Sequence, residues 1–272
     1  MNSWNKTNAL WNMTRNGSKS TMIGLYYMVR GMLMNSCRCY ICAGTSNQSI
    51  ETFEKIVSIA KNEIESFTGL TDVFRNEVVI NQANTDGFVR NPSGFTYHLY
   101  NGSFVKCINS NVNAQRGKRA ECVCFDEGGW LSEDVYQVIE PYTAQDKNFK
   151  MGGGIDVTVL PKELPNQLLY ASSASSVDSY YYKKYRDYSK RMIEGNPNYF
   201  VADINCEVIF NATYKGKVYP VPLITRDKVD TAMNENKEKA LREYYNIFTQ
   251  EAASGAIINR AVITRNSETR LP

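Results

Sequence analysis

The 272-residue sequence is short of several things at once. It has one histidine, His98, no run of about 18 apolar residues, and no excess of one charge, 31 Lys+Arg standing against 28 Asp+Glu for a net +3. A single histidine leaves a zinc site of the Cys/His kind without its partner set. The missing apolar run excludes a membrane-spanning helix among these residues. Balanced charge argues against both a basic nucleic-acid-coating chain and an acidic tail, so contact with a polyanion must come from local patches. The opening M-N-S-W-N-K-T-N has no apolar core and does not read as a secretory signal. Internal repeats and low-complexity tracts are also missing.

Seven cysteines are present. Cys37, Cys39 and Cys42 lie close together, and Cys122 and Cys124 alternate in an apolar run. The one C-x2-C, Cys39 with Cys42, has no second pair to complete a metal site. An odd number of cysteines in apolar runs reads as buried, reduced thiols of a reducing compartment. The remaining composition, 43% hydrophobic and 22% charged, is that of a soluble globular protein. Its length suits one large domain, or a domain with a small appendage.

The most informative stretch is R-A-E-C-V-C-F-D-E-G-G-W, Arg119 to Trp130. Cys122 to Phe125 is a short apolar run without proline, which predicts a central strand of a parallel sheet buried on both faces. Asp126 and Glu127 follow at once, where such a strand reaches the open edge of the sheet. Carboxylates placed there serve a ligand or end the strand in a solvated acidic turn. In a P-loop ATPase such a pair has divided roles: the aspartate holds Mg2+, and the glutamate takes a proton from the attacking water.

The second stretch is T-R-N-G-S-K-S-T, Thr14 to Thr21, which follows a short strand candidate over residues 9–13. A glycine-containing turn ending in Lys-Ser-Thr and opening into a helix suits a phosphate cradle, and equally an exposed turn with an N-cap. The full G-x-x-x-x-G-K-[ST] pattern calls for glycine at 13 and 18, where Met13 and Ser18 stand. Ser18 places a Cβ where backbone usually crowds the phosphates, so the loop either tolerates it or binds nucleotide more weakly. Met22, Tyr26, Val29 and Leu33, widened by Ile23, Tyr27 and Met34, predict an apolar helix after the loop.

Cys39 to Ala43 predicts another strand, followed by a helix with Phe53, Ile56, Val57, Ala60 and Ile64 on its apolar face. Strands alternating with helices predict a parallel sheet. Between Val78 and Asn111, V-V-I-N, T-Y-H-L-Y and S-F-V-K-C-I-N around Asn101-Gly102 predict antiparallel strands added at one edge. Asn113 to Arg119 is a polar, basic loop, and Ser132 can cap a short helix ended by Pro141. Gly152, Gly153 and Gly154 suggest a flexible loop. Gln167 to Ala171 predicts a buried strand running into Ser172 to Ser176. The following helix, with Tyr180 to Tyr182, Lys183, Lys184, Tyr185 and Arg186, suits nucleic acid or simply lysines and arginines snorkelling over tyrosines. Beyond Asn196-Pro197 come a strand-like V-A-D-I-N-C-E-V-I-F and a helix near Asp227 to Thr249. The expected division is a core over 1–196 and a lid or linker subdomain over 197–272.

In order, R-x-G-S-K-S-T, the R-G-K-R loop, hydrophobic-D-E, a strand ending in Ser-Ser and a late R-E-Y-Y-N-I-F resemble the ATPase domain of a tailed-bacteriophage terminase large subunit, the DNA-packaging motor. The resemblance implies an α/β fold, a P-loop NTPase of the additional-strand class with a mainly parallel sheet, antiparallel edge strands and a small C-terminal subdomain. It implies Mg2+-dependent ATP hydrolysis driving double-stranded DNA into a procapsid. The nucleotide would be held by Thr14, Arg15, Asn16, Gly17, Ser18, Lys19, Ser20 and Thr21, with Lys19 on the β/γ-phosphates and Arg15 on the γ-phosphate side. Ser20 and Asp126 would hold Mg2+, and Glu127 would be the general base. Arg116 would act as an arginine finger in a neighbouring subunit of a ring, and Ser172 and Ser173 would couple hydrolysis to motion. The implied partners are DNA, a portal protein and a terminase small subunit, in the cytoplasm of an infected bacterium. Only about a dozen residues precede the loop, where such domains carry an adenine-contacting segment, and the resemblance would start a nuclease domain just after Leu271-Pro272, so the expectation is an ATPase domain without it. The competing readings are a non-catalytic or incomplete motor remnant with a structural or DNA-binding role, and another P-loop motor such as a helicase.

Overall fold

The computed structural model describes residues 3–61, 63, 68–82, 85–91, 94–145, 164–214, 216–218 and 222–250. Its strands are β1 (Asn8–Met13), β2 (Arg38–Ala43), β3 (Phe88–Asn91), β4 (Gly94–His98), β5 (Phe104–Asn109), β6 (Cys122–Asp126), β7 (Gln167–Ser172) and β8 (Tyr199–Ile204), with a short ribbon of β9 (Thr213–Tyr214) and β10 (Lys217–Val218). The helices are α1 (Lys19–Leu33), α2 (Ser46–Ala60), α3 (Thr68–Glu77), α4 (Val112–Gln115), α5 (Glu133–Ile139), α6 (Tyr180–Ile193), α7 (Cys206–Phe210), α8 (Arg226–Glu235) and α9 (Lys237–Glu243).

Eight strands form one sheet in the order β3-β4-β5-β2-β6-β7-β1-β8. It is parallel from β5 to β8, and the two pairings at one edge, β5 with β4 and β4 with β3, are antiparallel, so β4 runs against the other strands. β7 lies between the loop-bearing β1 and the acidic β6, which is the additional-strand arrangement expected from the sequence. Alternation along the central strands feeds two cores, because successive side chains point to opposite faces. Cys122 and Cys124 join one core with α1, α2 and α3, whereas Val123 and Phe125 join the other with α5 and α6. All five residues of β6 are buried, which is why its sequence reads as an unbroken apolar run. The seven cysteines are free and buried.

Local chemistry sets the helix starts. Thr45 and Gln48 form a reciprocal capping box at α2, Ser179 accepts from Tyr182 N at α6, and Asn205 accepts from Glu207 N and Val208 N at α7. Ser132 stands at the start of α5, but its side chain makes no capping bond.

Several details differ from the sequence expectation. The buried face of α1 carries Ile23, Tyr27, Arg30 and Gly31, while Leu33 is 70% exposed. Arg30 makes enough hydrogen bonds to be buried on that face. V-V-I-N is not a strand: Val78 makes an isolated bridge to Leu99, and the third antiparallel strand is Phe88–Asn91. α3 has no counterpart among the expected elements. V-A-D-I-N-C-E-V-I-F divides at Asn205 into β8 and α7, because Asn205 caps the helix. β8 pairs with β1 along its length, so the main sheet continues past residue 196. The late helix breaks at Asn236, which is extended and accepts from Lys239 N, giving α8 and α9. Ile64, Gly152, Gly153 and Gly154 lie outside the described residues.

Candidate nucleotide site

The parallel strands β1, β6 and β7 end on the same edge of the sheet, and ligands in open α/β sheets bind outside such carboxyl ends. A cleft of about 720 Å3 opens there, lined by the 14–21 loop, Asp126, Glu127, Ser173, Trp130 and Glu243, and by Gln48, Glu51 and Lys55 of α2.

The loop between β1 and α1 makes a tight cradle. Thr14 N donates to Ile204 O and Gly17 N to Thr14 O, while Asn16 and Ser18 both take φ near 60°. A Cβ on Gly17 would sit 2.9 Å from Thr14 O, so only glycine fits. No side chain caps the amino end of α1, and its first turn holds no acidic residue. A 15-residue helix thus presents an open, positive amino end to the cleft.

Lys19 reaches back to the acidic strand. Its Nζ lies 2.5 Å from Glu127 Oε1 and 3.6 Å from Asp126 Oδ1, and the residue is 8% exposed. Burial disfavours the ammonium, but the Asp126 and Glu127 carboxylates outweigh it and hold the lysine pKa above its usual value. Asp126 is buried and accepts from Thr52 Oγ1 at 2.6 Å and from Glu127 N at 3.0 Å. Glu127 is left-handed, φ 53°, and half-exposed to the cleft, so the chain kinks immediately after the strand and points the second carboxylate outward.

Ser172 and Ser173 end β7 beside this kink. Ser172 Oγ accepts from Gly129 N at 3.0 Å, and a Cβ on Gly129 would lie 2.9 Å from that oxygen. The serine is therefore bonded to the loop that carries Glu127, and Ser173 faces the cleft. Arg15 turns to α9 instead of the cleft centre: its Nη1 lies 2.7 Å from Glu243 Oε1, and its backbone N donates to Glu243 O. Arg116 is exposed just after α4 and does not line the cleft. Ser20 and Thr21 line the cleft beside Lys19.

Thr52, Glu51 and Lys55 carry no local motif, and they reach the cleft through the packing of α2, as Gln48 does; Glu243 reaches it from α9. The donor set suits a nucleotide with its Mg2+: a backbone cradle, an open helix end, one buried ammonium, a hydroxyl and a carboxylate side by side.

Fold and site together define the P-loop NTPase architecture with an additional central strand. More particularly, the chain has the fold of the ATPase domain of a phage large terminase. It is similar to a point mutant of the ATPase domain of a Thermus phage large terminase, with TM-score 0.56 and 15% identity over 90% of each chain. Similar too are the bacteriophage HK97 large terminase (TM-score 0.57, 14% identity, 91% of this chain and 48% of that one) and a thermophilic bacteriophage large terminase in complex with ADP (TM-score 0.55, 10% identity, 90% and 49%). The chain thus spans nine-tenths of the isolated domain and about half the length of the longer terminases. By sequence, no family model and no curated protein matches it. Among the described residues, no helix is long and apolar enough to cross a membrane.

Proposed function

We propose that this chain hydrolyses ATP with Mg2+ and uses the reaction to drive double-stranded DNA into a viral procapsid. The observation that carries the reading is the Lys19–Asp126–Glu127 constellation beneath an uncapped helix end. Two carboxylates on a buried ammonium form a site that exchanges partners: a phosphate can take Lys19 and leave Glu127 free for a water. Bound Mg2+ would supply charge neutralisation at the phosphates. Ser20 and Asp126 would hold that ion, with Thr52 fixing the Asp126 carboxylate.

Once released by Lys19, Glu127 accepts the proton of the attacking water at a carboxylate oxygen. Thr14, Arg15, Asn16, Gly17 and Ser18 position the phosphates through the loop backbone, with Thr21 beside Ser20. The bond between Ser172 and Gly129 transmits a shift of the Glu127 loop to β7, and Ser173 reads the cleft directly. Arg116, exposed and outside its own cleft, would serve a neighbouring subunit's cleft in a ring, where an arginine finger adds about 10³–10⁵ in rate. Within the expected 197–272 subdomain, the part that follows β8 acts as the lid or linker. A portal protein and a small subunit are the partners of such a motor, and the infected host's cytoplasm is its setting.

The test is phosphate release with Mg2+ and ATP, with and without linear DNA, for wild type, Glu127→Gln and Arg116→Ala. Turnover that rises steeply with protein concentration, and that Arg116→Ala removes while ATP still binds, supports the ring motor. ATP binding without turnover at any concentration would contradict it.

A further inference from the structure

On the buried face of α1, away from the cleft, three cysteine sulfurs from two strands meet. Cys37 precedes β2, Cys39 lies within it, and Cys122 opens β6 as the register partner of Cys39. Cys37 Sγ lies 3.5 Å from Cys39 Sγ and 3.8 Å from Cys122 Sγ, and all three sulfurs fall within 4.8 Å of one another. Three thiolates on one tetrahedral ion, at about 2.3 Å each, stand roughly 3.8 Å apart. Sulfurs merely in contact stand about as close, so the surroundings must decide.

Those surroundings are polar for a site with no exposure. Arg30, 0% exposed, donates from Nε to Cys122 Sγ at 2.8 Å, and its other bonds go to Trp4 O, Tyr26 Oη, Gln167 Oε1 and Pro165 O. None of these oxygens is a carboxylate, so the guanidinium needs its counter-charge from sulfur. The hydroxyls of Tyr27 and Tyr97 are buried without a hydrogen-bond partner among the described residues, and both phenols sit within electrostatic reach of Cys39. The Met34 thioether lies 3.9 Å from Cys37 Sγ. Soft donors, orphaned phenols and an unbalanced cation in one place describe an incomplete coordination site better than a packed core.

We propose that Cys37, Cys39 and Cys122 bind one Zn2+ as a structural site joining β2 to β6 beneath α1, with Arg30 orienting the Cys122 sulfur. The charge count selects the ion: three thiolates, one guanidinium and one divalent cation sum to zero, whereas a monovalent ion would leave a net buried anion. Binding releases the three thiol protons to solvent, and Met34 or the Tyr27 hydroxyl is the candidate fourth donor. Since all three cysteines are sealed from solvent, the ion enters during folding.

The experiment counts metal in the full chain purified without chelators from zinc-containing medium, then unfolds it with a chelator and refolds it with Zn2+, Co2+ or neither. The expected result is about one zinc per chain, sulfur-to-cobalt charge-transfer absorbance after refolding with Co2+, and a lower melting temperature for protein refolded without metal. Cys39→Ser and Cys122→Ser should lose the metal and the absorbance, while Cys107→Ser, on β5, keeps both. Wild type that carries no zinc, gives no cobalt band and refolds equally well without metal overturns the proposal. So does zinc retained unchanged by Cys122→Ser.

Discussion

Helix α1 buries two cations, one near each end, and the molecule treats them differently. Lys19 is held by two carboxylates at the mouth of a cleft. Arg30, about three turns along, is held by two backbone carbonyls, a phenol, an amide oxygen and a sulfur in the interior. A lysine is a compact charge that a phosphate can take from a carboxylate, whereas an arginine fork spread over five fixed acceptors has nothing to exchange with. The contrast sets a charge that an anionic ligand can take over against a charge built into the frame.

Breaking the exchangeable side gives the largest effect. Glu127→Gln should lower ATP turnover by about 10²–10⁴-fold, the usual worth of a general base, with nucleotide binding retained in a filter or fluorescence assay. Breaking the fixed side acts on stability instead. Arg30→Ala leaves a cavity and several unpaired acceptors, so the unfolding free energy measured in denaturant should fall by about 3 kcal/mol or more. Thr52→Val removes only the hydroxyl that orients Asp126, and metal affinity in a Mg2+ titration of turnover should weaken about 10–100-fold.

The Lys19 contact also predicts a pH dependence. Its folded pKa is raised, so its contribution is fully present below the unfolded value of about 10.4 and is lost as pH rises through the folded value. Alkaline melting curves of wild type should show that loss, and those of Lys19→Met should lack it. The smallest effect concerns the loop itself. Ser18 occupies a left-handed conformation, so Ser18→Gly should raise stability by about 1 kcal/mol in a denaturant titration.

That Lys19, Asp126 and Glu127 belong together was legible because they fall in two local patterns. Lys19 follows a glycine turn, and Asp126 and Glu127 follow a buried strand whose apolar run no other element explains. The parallel sheet was legible for the same reason, since strands buried on both faces read as short apolar runs. What escaped depended on contacts distant in the chain. Thr52 meets Asp126 across 74 residues and Arg15 meets Glu243 across 228, and neither has a local signature. Arg30 reads as a polar interruption of an apolar stripe until Trp4, Pro165 and Gln167 surround it. The C-x2-C spacing pointed to Cys42, whereas the sheet brings Cys122, 85 residues away, beside Cys37. β8 was legible as a strand but not as part of the main sheet, because pairing to β1 leaves no mark in either segment.

The most direct test of the exchangeable-lysine account is the shift in melting temperature caused by ATP with Mg2+, compared between wild type and Lys19→Ala. An exchangeable Lys19 gives a saturable rise in wild type that disappears in Lys19→Ala and shrinks when Mg2+ is chelated. An equal rise in both proteins, or none in wild type, would show that the Lys19–Glu127 contact is as fixed as the hydrogen bonds of Arg30 and that the cleft is not a nucleotide site.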